Sequence, residues 1–148
     1  MISRDECTQR IVAAKQDKNL TFEQIAAEVG RHPVWTTSAL LGQASMSREE
    51  ACSAAALLDL DEDIVDALQQ CPSKGCADNA VPTDPLLYRF YEINLVYGTT
   101  IKALIHEKFG DGIMSAIDFQ MNIEKKPDAK GDRVLITFDG KFLPYRKW

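Results

Sequence analysis

The chain has 148 residues, a net charge of −5, 45% apolar and 26% charged side chains, an ordinary globular composition long enough for one sizeable core or two small modules. No apolar run approaches the ~20 residues that a membrane helix needs. The opening MISRDECTQR is charged and has no signal-peptide core, so a cytoplasmic protein is expected.

The first half reads as short capped helices. Ser3 stands three residues before Glu6 as a capping box, and Ile11 and Val12 give the first helix its apolar stripe. Thr21 and Gln24 repeat the box, with Leu20 and Ile25 placed as a hydrophobic staple and Gly30 as the stop. Pro33 opens a third helix through VWTTSALL towards Gly42, Ser47 and Glu50 box a fourth, and Asp61 caps a fifth that ends before Pro72. Such a five-helix bundle is compact.

Helix, tight turn and helix across residues 20–41 resemble a repressor-type helix-turn-helix, so a DNA-binding regulator with a C-terminal dimerisation domain is the alternative reading. Its recognition helix would offer Val34, Trp35, Thr36, Thr37, Ser38 and Ala39, none of them a base-reading Arg, Lys, Asn or Gln. Only Arg31 and His32 stand nearby. Residues 1–72 hold six Lys and Arg against twelve Asp and Glu, net −6, while residues 73–148 hold eleven against ten, net +1. Phosphate neutralisation needs the opposite sign. The bundle is therefore expected to pack within an assembly and to bind no nucleic acid, with Trp35 and the alanine-rich run from Ala54 as core or interface.

Four cysteines, Cys7, Cys52, Cys71 and Cys76, raise the question of zinc or disulfides. Cys71 and Cys76 have loose metal spacing, but Cys7 and Cys52 form no second pair, and His32 and His106 are isolated. Free thiols and no metal are expected. A turn-rich stretch between Cys71 and Pro82 separates the modules, placed at 1–75 and 76–148.

In the second half, Thr83 and Asp84 cap a helix with Pro85 in its first position, and Gly98 is expected to end it. A second short helix should start at Thr99 or Thr100 and break at Gly110-Asp111-Gly112. Ile117, Phe119, Met121 and Ile123 then alternate with polar residues as a half-buried strand, followed by a polar loop over 125–131. Val134, Ile136 and Phe138 form another strand, and Asp139-Gly140 signals a hairpin into Lys141-Phe142-Leu143. Two helices and about three strands, α+β for the whole chain, cannot cover their own faces, so pairing with another copy is expected.

Arg89 and Glu92 lie three apart on one helix face, and Ser115 follows a glycine turn. By spacing alone these fit a surface ion pair and a turn serine as well as an anion site. Tyr88, Phe90, Tyr91 and Tyr97 read as core or interface aromatics, and His106 as solvent-facing. There is no Gly-rich phosphate loop and no nucleophile elbow, which leaves electrostatic binding and proximity as the available chemistry.

The run YRFYEINLVYGTTIKALIHEKFGDGIMSAIDF is long and specific, and it resembles the signature of the cyanases (cyanate hydratases), with lower similarity over the rest of the chain. Arg89, Glu92 and Ser115 fall on that family's catalytic positions. The resemblance implies a lyase that joins cyanate with bicarbonate; loss of carbon dioxide leaves carbamate, which breaks down to ammonia and carbon dioxide. No cofactor is implied, bicarbonate being a co-substrate. It also implies a homodecamer built from dimers, with intertwined C-terminal segments and active sites shared between subunits. Arg89 would then bind anion and stabilise the adduct, and Ser115 would hydrogen-bond cyanate or the developing oxyanion. For Glu92 two roles stay open, orienting an arginine or carrying a proton.

Overall fold

The computed structural model describes residues 2–72 and 81–148. The turn-rich connection falls largely on residues 73–80, outside the described residues, as does Cys76 and hence its spacing from Cys71. The chain divides into two units, Met1–Cys76 and Ala77–Trp148. Among the described residues no helix is long and apolar enough to cross a membrane.

Five helices build the first unit: α1 (Arg4–Asp17), α2 (Phe22–Val29), α3 (Pro33–Leu40), α4 (Arg48–Leu57) and α5 (Glu62–Gln69). Their starts follow from local chemistry. Thr21 with Gln24 and Ser47 with Glu50 close full capping boxes, whereas at Ser3 only the bond from the Glu6 amide forms. Asp61 stands at the start of α5 without capping it through its side chain. Its carboxylate instead meets Arg10 at 2.7 Å, and that bond holds its pKa below the ordinary value. A long-range partner thus displaced the local one.

The unit has a continuous apolar core. Ile11, Ile25, Leu40, Leu58, Ile64 and Leu68 are fully buried, and each such side chain contributes about 1.5–3 kcal/mol on leaving water. Alanines at 51, 54 and 55 let α4 pack closely on its neighbours α2 and α5. Arg4 ties the helix ends together: its guanidinium donates to the carbonyls of Ala67 and Ala44 at 2.8 Å and of Ala39 at 3.1 Å. Burial pushes the Cys7 thiol pKa up, with Arg4 and Arg10 pulling the other way.

The second unit is a long helix, α6 (Pro85–Phe109), and an antiparallel two-stranded ribbon, β1 (Gly112–Lys126) and β2 (Arg133–Pro144). Three expectations are corrected here. Gly98 does not end a helix, because it keeps a helical backbone within one 25-residue element. The stop is Gly110, at φ +88°, a conformation open to glycine. Continuing a helix through one glycine costs only about 1 kcal/mol, and the sequence on both sides is helix-compatible. Asp139-Gly140 is not a hairpin but lies inside β2, paired with Gln120 and Phe119. The chain reverses once, at 127–132, close to the polar loop expected over 125–131, where Gly131 donates to the Asp128 carbonyl at 3.0 Å and has φ +120°. Two strands therefore replace the expected three.

This unit buries almost nothing by itself. No residue of α6 is buried, although apolar side chains recur at 86, 90, 93, 97, 101 and 104, with Leu95 and Val96 off that stripe. A helix that is apolar on more than one face belongs inside a larger core. Within the unit, α6 meets the ribbon near its C-terminal end, where Phe109 stacks on Phe142 with ring centroids 5.2 Å apart.

In the first unit, Glu50 is only 9% exposed. It accepts from the Ser47 amide at 2.8 Å and from Arg31 Nε at 2.5 Å. Its carboxyl is held below the usual 4.5 by the Ser47 amide first, against desolvation, and then by Arg31. A folded-state pKa below the unfolded one gives stability that is full above the unfolded value and lost as pH falls through the folded one. Glu50→Gln should therefore lower the Tm at pH 7 and flatten the loss of Tm below about pH 4.5, read by thermal melts from pH 7 to 3. Equal slopes for both proteins would contradict this.

Candidate functional site

The start of α6 places two of the three candidate residues. Asp84 accepts from the Leu86 and Leu87 amides at 2.9 Å each, and Pro85 occupies the first helical position, where no amide donor is required. The register so fixed puts Arg89 and Glu92 on one face, with Arg89 Nη1 2.5 Å from Glu92 Oε2. Their side chains are 64% and 44% exposed in the single chain. An exposed pair of this kind contributes only a few tenths of a kcal/mol to the helix. Its other consequence is geometric: the carboxylate holds one edge of the guanidinium, leaving the remaining donors for a ligand.

Ser115 lies near the start of β1 and is 6% exposed. Its hydroxyl oxygen accepts from the Ile117 amide at 3.1 Å and from the Asp118 amide at 2.9 Å. Both acceptor positions of the oxygen are thereby filled, so its remaining capacity is to donate its hydrogen. These bonds span a break in the ladder. Met114 pairs with Phe142 and Phe119 with Gly140, so residues 115–118 of β1 face only Lys141 of β2. The surplus residues bulge out, which leaves Ile117 98% exposed where alternation predicts an inward side chain.

The structure thus brings Arg89 and Glu92 together, and Ser115 hydrogen-bonds to neither of them. Within α6 and the ribbon there is a groove of about 360 Å³, lined among others by Gly98, Ile101, Ile105, Met114 and Tyr145. None of the three candidates lines it. His106 also lines it, and its Nε2 is 3.2 Å from the Gly112 carbonyl. The half-buried imidazole thus helps hold the glycine turn and does not simply face solvent, a role that helix periodicity alone did not reveal. Among the described residues no three His, Cys, Asp or Glu stand together as a ligand set.

In the helix-turn-helix-like segment the nearby basic groups are already engaged. Arg31 lies 5.8 Å over the Trp35 ring and pairs with Glu50, and His32 Nδ1 accepts from the Val34 amide at 3.3 Å. Of the helix offered for base reading, Thr36, Ala39 and Leu40 are buried.

Comparison with known proteins decides the family. A family model described as cyanate hydratase, N-terminal, matches residues 4–72, and one described as cyanate lyase C-terminal domain matches residues 79–147. The chain belongs to the cyanate lyase family. Cyanate hydratases from Thiobacillus denitrificans and Dechloromonas aromatica are each 54% identical to it over 147 residues, covering 99% of this chain and 100% of each relative. A solved structure, the cyanase from T. urticae, is 38% identical and superposes with a TM-score of 0.83, over 93% of this chain and 96% of that one. With both halves matched to cyanate lyase models, the DNA-binding regulator reading finds no support.

In a cyanate lyase fold whose serine closes a bulge, removal of the hydroxyl should release two amides. Ser115→Ala is expected to speed hydrogen–deuterium exchange at the amides of Ile117 and Asp118 by roughly fivefold, since about 1 kcal/mol accompanies each lost bond. Exchange at Ile123 and Phe138 should not change. Unaltered protection at 117 and 118 would mean that the hydroxyl does not hold the bulge.

Proposed function

We infer that this chain decomposes cyanate, and that it does so by joining cyanate to bicarbonate. The observation that carries the reading is the end-to-end match to cyanate hydratases at 54% identity. In the reaction one cyanate, one bicarbonate and one proton give carbamate and carbon dioxide, and carbamate with a further proton gives ammonia and a second carbon dioxide. Both substrates are anions. The difficulty is to bring them together against their repulsion and against the loss of free motion; fixed orientation offsets ~7–11 kcal/mol in the best intramolecular cases.

Arg89 supplies the charge. A guanidinium about 4 Å from an anion contributes roughly 1 kcal/mol in bulk water but about 4 kcal/mol at an effective dielectric near 20. Only the second value matches what anion pairing demands, so water must leave the site. Its planar fork suits a carboxylate-like group such as bicarbonate. Glu92 orients that fork, a role supported by the 2.5 Å contact between them. Ser115 donates to cyanate or to the oxyanion of the adduct, supported by the two amides that fill its acceptor positions. The scheme calls for no metal or organic cofactor.

Water is excluded, in this proposal, by further copies of the same chain, assembled as a homodecamer of dimers. The apolar surface of α6, on its stripe and beyond it, favours it: Leu86, Leu95, Val96 and Phe109 are all more than half exposed in the single chain. Ser115 hydrogen-bonds to neither Arg89 nor Glu92 within one chain, which suits a site completed by a neighbouring copy.

Ammonia release from cyanate by the purified chain is expected to require bicarbonate in carbon-dioxide-free buffer and to be unaffected by a strong chelator. Arg89→Leu should lower kcat/KM about a thousandfold, the equivalent of ~4 kcal/mol. Release without bicarbonate would remove the two-anion reaction, loss on chelation would remove the cofactor-free scheme, and an active Arg89→Leu enzyme would remove the anion-binding role.

A further inference from the structure

A catalytic donor must be held as well as present, and the ribbon shows what holds Ser115. At the edge of the bulge, paired with Phe119, stands Gly140, whose backbone φ is not in the left-handed region, so the glycine is not there to make a turn. Its distinguishing feature is the space it leaves. A Cβ at this position would lie 2.6 Å from the Ser115 carbonyl oxygen and 2.6 Å from Met114 Cγ. The methionine side chain can swing away, but the Ser115 oxygen is main chain and moves only if the bulge moves. Glycine within a strand commonly marks such a close backbone approach.

We propose that Gly140 is a positioning residue for Ser115: by letting β2 close onto the Ser115 main chain, it keeps the hydroxyl on the Ile117 and Asp118 amides and so aims the O–H outward as a donor. The proposal rests on the role given to Ser115 above. Any side chain at 140 pushes the Ser115 carbonyl outward, lengthens the bonds to the 117 and 118 amides, and frees the hydroxyl oxygen to rotate its hydrogen elsewhere. The Asp118 carboxylate, 3.7 Å from Lys141 Nζ across the bulge, faces solvent on its own account and supplies no comparable constraint.

The test is a double-mutant cycle in the full-length assembly, with steady-state kinetics on cyanate and bicarbonate. Ser115→Ala removes one oxyanion donor and should lower kcat about 10²–10³-fold with little change in KM, the signature of a group that acts in the transition state. Gly140→Ala should lower kcat tenfold or more with the same small change in KM. The double variant should be no slower than Ser115→Ala alone, because Gly140 acts only through that hydroxyl. Met114→Ala alone should keep its kcat. If Gly140→Ala changes the size of the assembly, Met114→Ala/Gly140→Ala takes its place, since it relieves the side-chain clash and leaves only the push on Ser115.

A normal kcat in Gly140→Ala, losses that multiply in the double variant, or collapse of both Gly140 variants as assemblies would overturn the proposal in favour of a glycine that merely serves the fold. Full activity in Ser115→Ala would remove the role of the serine itself. An impaired Ser115→Ala beside an unimpaired Gly140→Ala would remove the glycine alone.

Discussion

Apolar surface without a core governs the second half of this protein. Along 25 residues α6 has no fully buried side chain, and in the ribbon the only buried residues are Gly112 and Ser115. The first unit is the opposite case, with six large aliphatic side chains fully enclosed. Exposed apolar patches beyond a few hundred Å² mark interaction surfaces in soluble proteins, and a two-stranded ribbon is marginal in water by itself. The same chain thus contains one unit that satisfies itself and one that needs a partner of matching apolarity. A second copy, the partner proposed above, carries that match by symmetry.

That constraint reaches the chemistry through the dielectric. Arg89 on the bare helix is a solvated cation, and an anion beside it is held no better than in salt solution. In the proposed assembly, covering the helix would remove water from the guanidinium and strengthen its effect, with the Glu92 carboxylate 2.5 Å away to hold the fork. Ser115 is prepared differently. It is already buried in one chain, and its oxygen is already committed to two amides. With both acceptor positions filled, the hydroxyl has its hydrogen left to donate, which suits the preorganised stabilisation proposed above.

The parts legible in the sequence were the local ones. Capping at Thr21, Ser47 and Asp84 depends on partners two or three residues away, and all three form as the pattern implies. The long motif put forward Arg89, Glu92 and Ser115 as a set, of which the structure pairs the first two; spacing alone could not separate an anion site from a surface pair. What the sequence misled on was set by distant partners. Asp61 gave its carboxylate to Arg10 on another helix. Gly98 carried a stop signal that the continuing helix overrode. Asp139-Gly140 looked like a turn because its glycine was read as conformational freedom, when its use is the absence of a side chain against Ser115 on the facing strand. Period-two alternation likewise placed Ile117 inward, and the bulge that turns it out is visible only once both strands are paired.

Sedimentation equilibrium of the intact chain across a hundredfold range of concentration, down to about 0.1 μM, tests the dependence of the second unit on further copies most directly. A single assembly many times the 16.5 kDa chain mass is expected throughout, with any dissociation accompanied by loss of α6 helicity in circular dichroism. A monomer that keeps its full helical signal and decomposes cyanate would contradict the account.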